Sequence, residues 1–156
     1  TVPERVTCLK VTSAKEMLHT VLSNIKDVDI FIGVAAIADY RPAKEERQKI
    51  KKHKNQIDLT LIKNPDIISE VALLPDRPYV VGFAAETENI LKNGIRKLTK
   101  KKLDMLFANN ATETFGSDVI ASTAISVDGH FTIKSGKKSA VARRMLQIIA
   151  NKLPKN

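Results

Sequence analysis

Apolar residues recur along this chain in two rhythms. Arg5–Val11 and Ile57–Lys63 alternate apolar with polar residues, which predicts short strands with one face covered. Asp29–Ala36, Tyr79–Ala85 and Met105–Asn109 are apolar runs with little alternation, the pattern of strands buried on both faces of a parallel sheet. Between them the spacing changes to that of helices. Leu18, Val21, Leu22 and Ile25 predict a helix that runs to Lys26, with Ser13 and Glu16 as a capping box at its start. Asn64-Pro65-Asp66 opens a second helix over Ile67–Leu74, with Asn64 read as the N-cap and Pro65 at the first helical position. Ile90, Leu91, Ile95 and Leu98 mark the apolar side of a third, over Glu88–Lys102. Val141, Met145, Ile148, Ile149 and Leu153 do the same for a last helix over Ser135–Leu153. Ser122–Val127 and Phe131–Ile133 flank Asp128-Gly129, a hairpin signal.

Strand and helix alternate through the first two thirds. This predicts a Rossmann-like, doubly wound α/β fold, with a mostly parallel sheet, helices on both faces and a C-terminal β-hairpin. The first strand, helix and Asp29–Ala36 strand read as a β-α-β unit with a right-handed crossover. The 156 residues suit one domain, with no linker to divide it. Arg41–Gln56 breaks the pattern. It is dense in charge, nearly without apolar periodicity, and reads as an exposed, mobile flap (residues 41–56).

The net charge of +9 suits a polyanionic or phosphorylated partner. Aromatic content of 4% with no Trp argues against a stacking platform for single-stranded nucleic acid. No apolar run is long enough to cross a bilayer, and no signal-peptide pattern opens the chain. The single Cys8 excludes an internal disulfide; it lies in a strand-like run, where a buried, inert thiol is expected. These points favour the cytoplasm.

Several classes of chemistry lack their residues. His19, His53 and His130 have no ligand spacing, and no nucleophile elbow, Walker loop or Gly-x-Gly-x-x-Gly is present. What remains sits at strand ends. Phe31–Pro42 passes from a buried run to Gly33, Ala35, Ala36 and Ala38, then to Asp39 and Arg41. Tyr79–Thr87 repeats the design with Gly82, Ala84 and Ala85. Small residues where strands end let a ligand approach the backbone, and core packing alone accounts poorly for two such ends. Lys97 and Lys101 share one helical face and could grip successive phosphates; spacing alone favours a solvated face beside Lys100 and Lys102. Lys49 in the flap could close over a ligand, or be a surface lysine. The start of the helix after Asn64 offers exposed N–H groups to an anion.

Taken in order, five motifs are recognisable: Gly-Val-Ala-Ala-Ile-Ala-Asp-Tyr (33–40), Lys-Ile-Lys-Lys (49–52), Lys-Asn-Pro-Asp-Ile (63–67), Gly-Phe-Ala-Ala-Glu-Thr (82–87) and Lys-x-x-x-Lys-x-x-Leu-Asp (97–104). Together they resemble the phosphopantothenate–cysteine ligase domain of the bacterial bifunctional coenzyme A biosynthesis protein. The resemblance implies CTP-dependent joining of 4′-phosphopantothenate to cysteine through an acyl-cytidylate, with Mg2+ accompanying the triphosphate and a homodimeric domain. It implies that Gly33, Val34, Ala35 and Asp39 meet the nucleotide. Pro65, Asp66, Ile67 and Ile68 would line it, Phe83 would pack on it, Lys97 and Lys101 would hold phosphates, and Lys49 would act on the α-phosphate as the catalytic lysine. No protein side chain is assigned to the metal.

Family members carry a Gly-rich loop and an Asn-containing segment ahead of these motifs, and usually a flavin-dependent decarboxylase domain. Neither lies within this chain, so weakened nucleotide binding and poor turnover are expected of it alone. A non-catalytic nucleotide-binding domain and, further off, a basic nucleic-acid-binding module are the alternative readings. ATP in place of CTP is a lesser variant of the ligase reading.

Overall fold

The computed structural model describes residues 4–44, 46, 48–50, 56–114 and 116–153. In chain order the elements are α1 (Ala14–Asn24), β1 (Ile30–Gly33), β2 (Tyr40–Pro42), β3 (Leu61–Lys63) and α2 (Ile67–Ala72). There follow β4 (Tyr79–Glu86), α3 (Ile90–Lys100), β5 (Met105–Asn110), α4 (Ala111–Thr114), β6 (Val119–Ser126), β7 (Gly129–Lys137) and α5 (Lys138–Ala150). They fall into two compact units: Ile25–Val34 with Ile68–Asn156, and Thr1–Asn24 with Ala35–Ile67.

The larger unit is a five-stranded sheet in the order β1-β4-β5-β6-β7. β1, β4 and β5 run parallel, in a register that sets Gly33 beside Gly82 and Phe83 beside Phe107. β6 and β7 add an antiparallel hairpin at the far edge, with an irregularity between Ile120 and Ser122. The apolar runs of β4 and β5 are explained by cover on both faces. Side chains alternate across a strand. Val81, Met105, Phe107, Ala124 and Ile133 form one core with Val141, Met145 and Ile149 of α5. On the opposite face lies α3, and Gly94 brings it close: a Cβ there would stand 2.4 Å from Ile125 Cδ1 and 3.5 Å from Leu106 Cδ2. The hairpin turns at Val127-Asp128, and Gly129 follows at φ 133°, a conformation that a side chain would strain.

An ionic tie closes the lower end of the sheet. The Asp104 carboxylate accepts hydrogen bonds from Arg77 Nη1 and Nη2 at 2.5 and 2.8 Å and from the Val80 backbone N–H at 2.7 Å. The bidentate Asp104 partner raises the Arg77 pKa above its usual value. Tyr79 beside it is also raised, first by burial and then by Asp104.

The smaller unit is built differently. α1 begins as expected, with Ser13 Oγ accepting from the Glu16 N–H at 3.2 Å. The Glu16 carboxylate, however, reaches one residue further back than in a capping box and accepts from the N–H and hydroxyl of Thr12, at 2.8 and 2.7 Å. β2 and β3 pair antiparallel as an isolated ribbon, Tyr40 opposite Lys63 and Pro42 opposite Leu61. Arg41 and Asn64 lock its end. Arg41 Nη1 donates to Lys63 O at 2.6 Å and to Asn64 Oδ1 at 3.0 Å, and Asn64 Nδ2 donates to Ala38 O at 2.7 Å.

The observed elements correct several expectations. Arg5–Val11 is not a strand: Val6 and Leu9 stand 55% and 52% exposed, and alternation cannot make a strand where no ladder pairs it. The β-α-β unit inferred from it therefore does not form, and β1 pairs with β4 instead. Cys8 is exposed rather than buried, for the same reason. β1 ends at Gly33, short of Ala36, and as an edge strand it is only half-buried. The strand after the flap covers Leu61–Lys63 alone. α2 starts at Ile67, so Asn64 is not its N-cap; its carboxamide is spent on Arg41 and Ala38. Ile95 faces solvent, and the hairpin strands are longer than their apolar cores. Of the flap, Arg41 and Pro42 belong to β2, while residues 45, 47 and 51–55 lie outside the described residues.

Candidate functional site at the strand ends

Because β1, β4 and β5 are parallel, their carboxyl ends lie on one side of the sheet, the side where open α/β sheets take ligands. Gly33-Val34, Phe83–Glu86 and Asn109-Asn110 stand there.

The glycines have a packing reason. A Cβ on Gly33 would come 2.9 Å from Ile68 Cδ1. On Gly82 it would come 2.8 Å from Leu103 Cδ1 and 3.1 Å from Ile68 Cδ1. The Ile68 side chain thus occupies the notch that the two glycines open, so core packing does account for the two matching glycines. Val34, next in the chain, is largely exposed. Phe83 is about one-third exposed at 37%, on the face opposite Gly82 and Ala84, and its ring lies 5.4 Å from that of Phe107 at an interplanar angle of 35°.

Helix α3 separates its two candidate lysines from their neighbours. Gly94, Lys97, Leu98 and Lys101 fall at i, i+3, i+4 and i+7, one stripe of a helix. Gly94 and Leu98 are buried, and Lys97 and Lys101 are half-buried. Lys92, Lys100 and Lys102 are exposed. The two candidate lysines therefore sit on the sheet side, apart from the solvated ones. Lys97 Nζ approaches Glu86 Oε1 to 2.6 Å, and this oxygen is covered from solvent. The contact is an ion pair in distance without the alignment of a hydrogen bond. Glu86 was not among the sequence candidates. A signal existed: it follows Gly82 and Ala84 at steps of two and so shares their face toward α3.

The other candidates belong to the smaller unit. Ala35 and Asp39 are exposed just after the chain leaves β1, as is Lys49. Pro65 is half-buried, Asp66 exposed and Ile67 buried. Among the described residues no group of three His, Cys, Asp or Glu side chains could hold a metal ion, and no helix is long and apolar enough to cross a membrane.

A mostly parallel sheet with helices on both faces defines a Rossmann-like α/β domain. The chain belongs to the DNA/pantothenate metabolism flavoprotein C-terminal domain family, whose model matches residues 1–153. It is similar to the coenzyme A biosynthesis bifunctional protein CoaBC of Vibrio vulnificus, with 40% identity over 94% of this chain and 38% of that protein. The CoaBC proteins of Haemophilus influenzae and Escherichia coli K12 match at 40% and 39% identity, over 99% and 96% of this chain and 40% and 39% of theirs. The chain thus spans about two fifths of the length of these relatives. In structure it is similar to the C-terminal domain of a CoaBC protein, with TM-score 0.77, 31% identity, and coverage of 96% of this chain and 67% of that one. A flavoprotein of this name from Streptococcus pneumoniae shares the fold at TM-score 0.72 and 20% identity, over 90% of this chain and 71% of that one.

Proposed function

We propose that this chain carries the nucleotide-binding part of a phosphopantothenate–cysteine ligase that uses CTP. The observation that carries the reading is the placement of Lys97 and Lys101 on the sheet-facing stripe of α3, in a chain of this family. A half-buried lysine drawn to a carboxylate at a strand end, as Lys97 is, is a poor solvated-face residue and a good partner for phosphate oxygens.

In this reading the phosphopantothenate carboxylate attacks the α-phosphorus of CTP. An O–P bond forms, the bond to the β-phosphate oxygen breaks, and pyrophosphate leaves. The cysteine amine then attacks the acyl carbon, a C–N bond forms, the amine loses a proton and CMP departs. Lys97 and Lys101 hold the phosphates, and Lys49 supplies charge to the transition state at the α-phosphorus. Gly33, Val34 and Ala35 meet the cytosine through backbone groups, with Asp39 also on the nucleotide. Pro65, Asp66, Ile67, Ile68 and Phe83 line it. Mg2+ would accompany the triphosphate as part of the substrate, where it would offset phosphate charge.

The same reading makes the active form a cytoplasmic homodimer. Tyr40, Leu61 and Ile62 of the β2–β3 ribbon are exposed, and a lone two-stranded ribbon is marginal by itself. The relatives' greater length leaves room for the decarboxylase domain as a further partner.

Thermal unfolding with Mg2+ and CTP, ATP, UTP or no nucleotide tests the proposal. A ligand bound only by the folded state raises its apparent stability. A rise with CTP above that with UTP and ATP supports the reading; equal rises with all three would contradict the cytosine pocket.

A further inference from the structure

Glu86 ends β4, on the face that α3 covers. Gly94 allows that cover to be close, since any Cβ there would strike Ile125. Lys97 stands one turn further along the same stripe of α3, and the short helix–sheet distance carries its ammonium to 2.6 Å from Glu86 Oε1. The pair is graded in exposure. The Glu86 side chain is 13% exposed and that of Lys97 is 41%. An anion arriving from solvent therefore meets the ammonium first and the carboxylate behind it.

A lysine has three N–H donors and a flexible stem. Left alone, it loses rotamer freedom when it grips a phosphate. With one side of the ammonium held by Glu86, that freedom is restricted before the ligand arrives, and the outer donors remain for it. Electrostatic arrangements set in advance of binding give more affinity than those assembled on contact.

We infer that Glu86 is a positioning residue that holds Lys97 in place to receive a polyphosphate chain. The inference rests on the nucleotide reading above for the identity of the ligand, though not for the existence of the anion site.

The experiment titrates inorganic tripolyphosphate, CTP and UTP into the native chain, Glu86→Ala and Glu86→Gln by calorimetry, and follows the Lys97 side-chain ammonium by NMR. Glu86→Ala is expected to weaken tripolyphosphate and CTP about tenfold, the low end for a close, partly desolvated charge pair. The preference for CTP over UTP should be unchanged, which a disordered site could not preserve. Glu86→Gln keeps an acceptor oxygen and should recover part of the loss. In the native chain the Lys97 signal should move on adding tripolyphosphate, and Glu86→Ala should shift it without ligand. Unchanged or tighter tripolyphosphate binding by Glu86→Ala would overturn the inference, as would a Lys97 signal that ignores both substitution and ligand. The two proposals fail separately. Tripolyphosphate binding that depends on Glu86 without any CTP preference sinks the ligase reading and keeps this one. CTP preference with no Glu86 effect does the reverse.

Discussion

The five-stranded sheet and the two-stranded ribbon were built from similar strand signals and came out unlike. In the sheet, Val80, Val81 and Phe107 have no exposure at all. In the ribbon and its approaches, Ile57, Leu59 and Leu61 are all more than half exposed. Both stretches are rich in aliphatic residues. The difference lies in what covers them. β4 and β5 have strands on both sides and helices on both faces, while among the described residues β2 and β3 pair only with each other. Apolar content therefore measures the capacity to be buried, and topology decides whether burial occurs. The sheet holds the fold, and the ribbon leaves its apolar side chains exposed.

The most severe way to break this comparison is to hollow out each region in turn. Phe107→Ala should cost about 3–5 kcal/mol in denaturant unfolding. Leu59→Ala should stay within about 0.5 kcal/mol, because Leu59 is 66% exposed. Similar losses at the two sites would show that the ribbon is as well packed as the sheet.

Polar ties sharpen the contrast at a smaller scale. Asp104→Ala removes the acceptor of three hydrogen bonds, two from a guanidinium and one from Val80 N–H, and should cost about 2–3 kcal/mol. Arg41→Ala, which removes two bonds at the exposed end of the ribbon, should cost about 1 kcal/mol. Equal midpoint shifts for the two would erase the distinction between an anchored and a peripheral tie.

The smallest effect is acid sensitivity at α1. The Thr12 hydroxyl, then the Thr12 N–H, hold the Glu16 pKa below its ordinary 4.5. A group whose folded pKa is depressed adds stability above its unfolded value and loses it as pH falls through the folded one. The native chain should therefore lose slightly more stability than Glu16→Gln as pH drops below 4.5, in paired thermal melts. Parallel pH curves would show that the contact has no energetic weight.

Much of the larger unit was legible in the sequence, because its long apolar runs leave one arrangement open. β4, α3, β5 and α5 lie close to where periodicity put them. What failed depended on partners that lie far away in sequence. Arg5–Val11 alternates like a strand yet meets no ladder among the described residues. Asn64 looks like a cap yet is drawn off by Arg41, 23 residues away. The short helix α4 carries no apolar stripe of its own, and so no periodicity announced it. At the site, lysine spacing left two readings open, and burial favoured one of them. Glu86 went unnoticed because a carboxylate at a strand end resembles any polar terminus until α3 is placed over it.

The central claim is that the sheet-facing lysines of α3 hold the phosphates of a cytidine nucleotide. The direct measurement is calorimetric binding of CTP with Mg2+ to the native chain, Lys97→Ala and the exposed control Lys92→Ala. The account predicts that Lys97→Ala weakens CTP at least about tenfold while Lys92→Ala binds as the native chain does. Equal binding by all three proteins would contradict it.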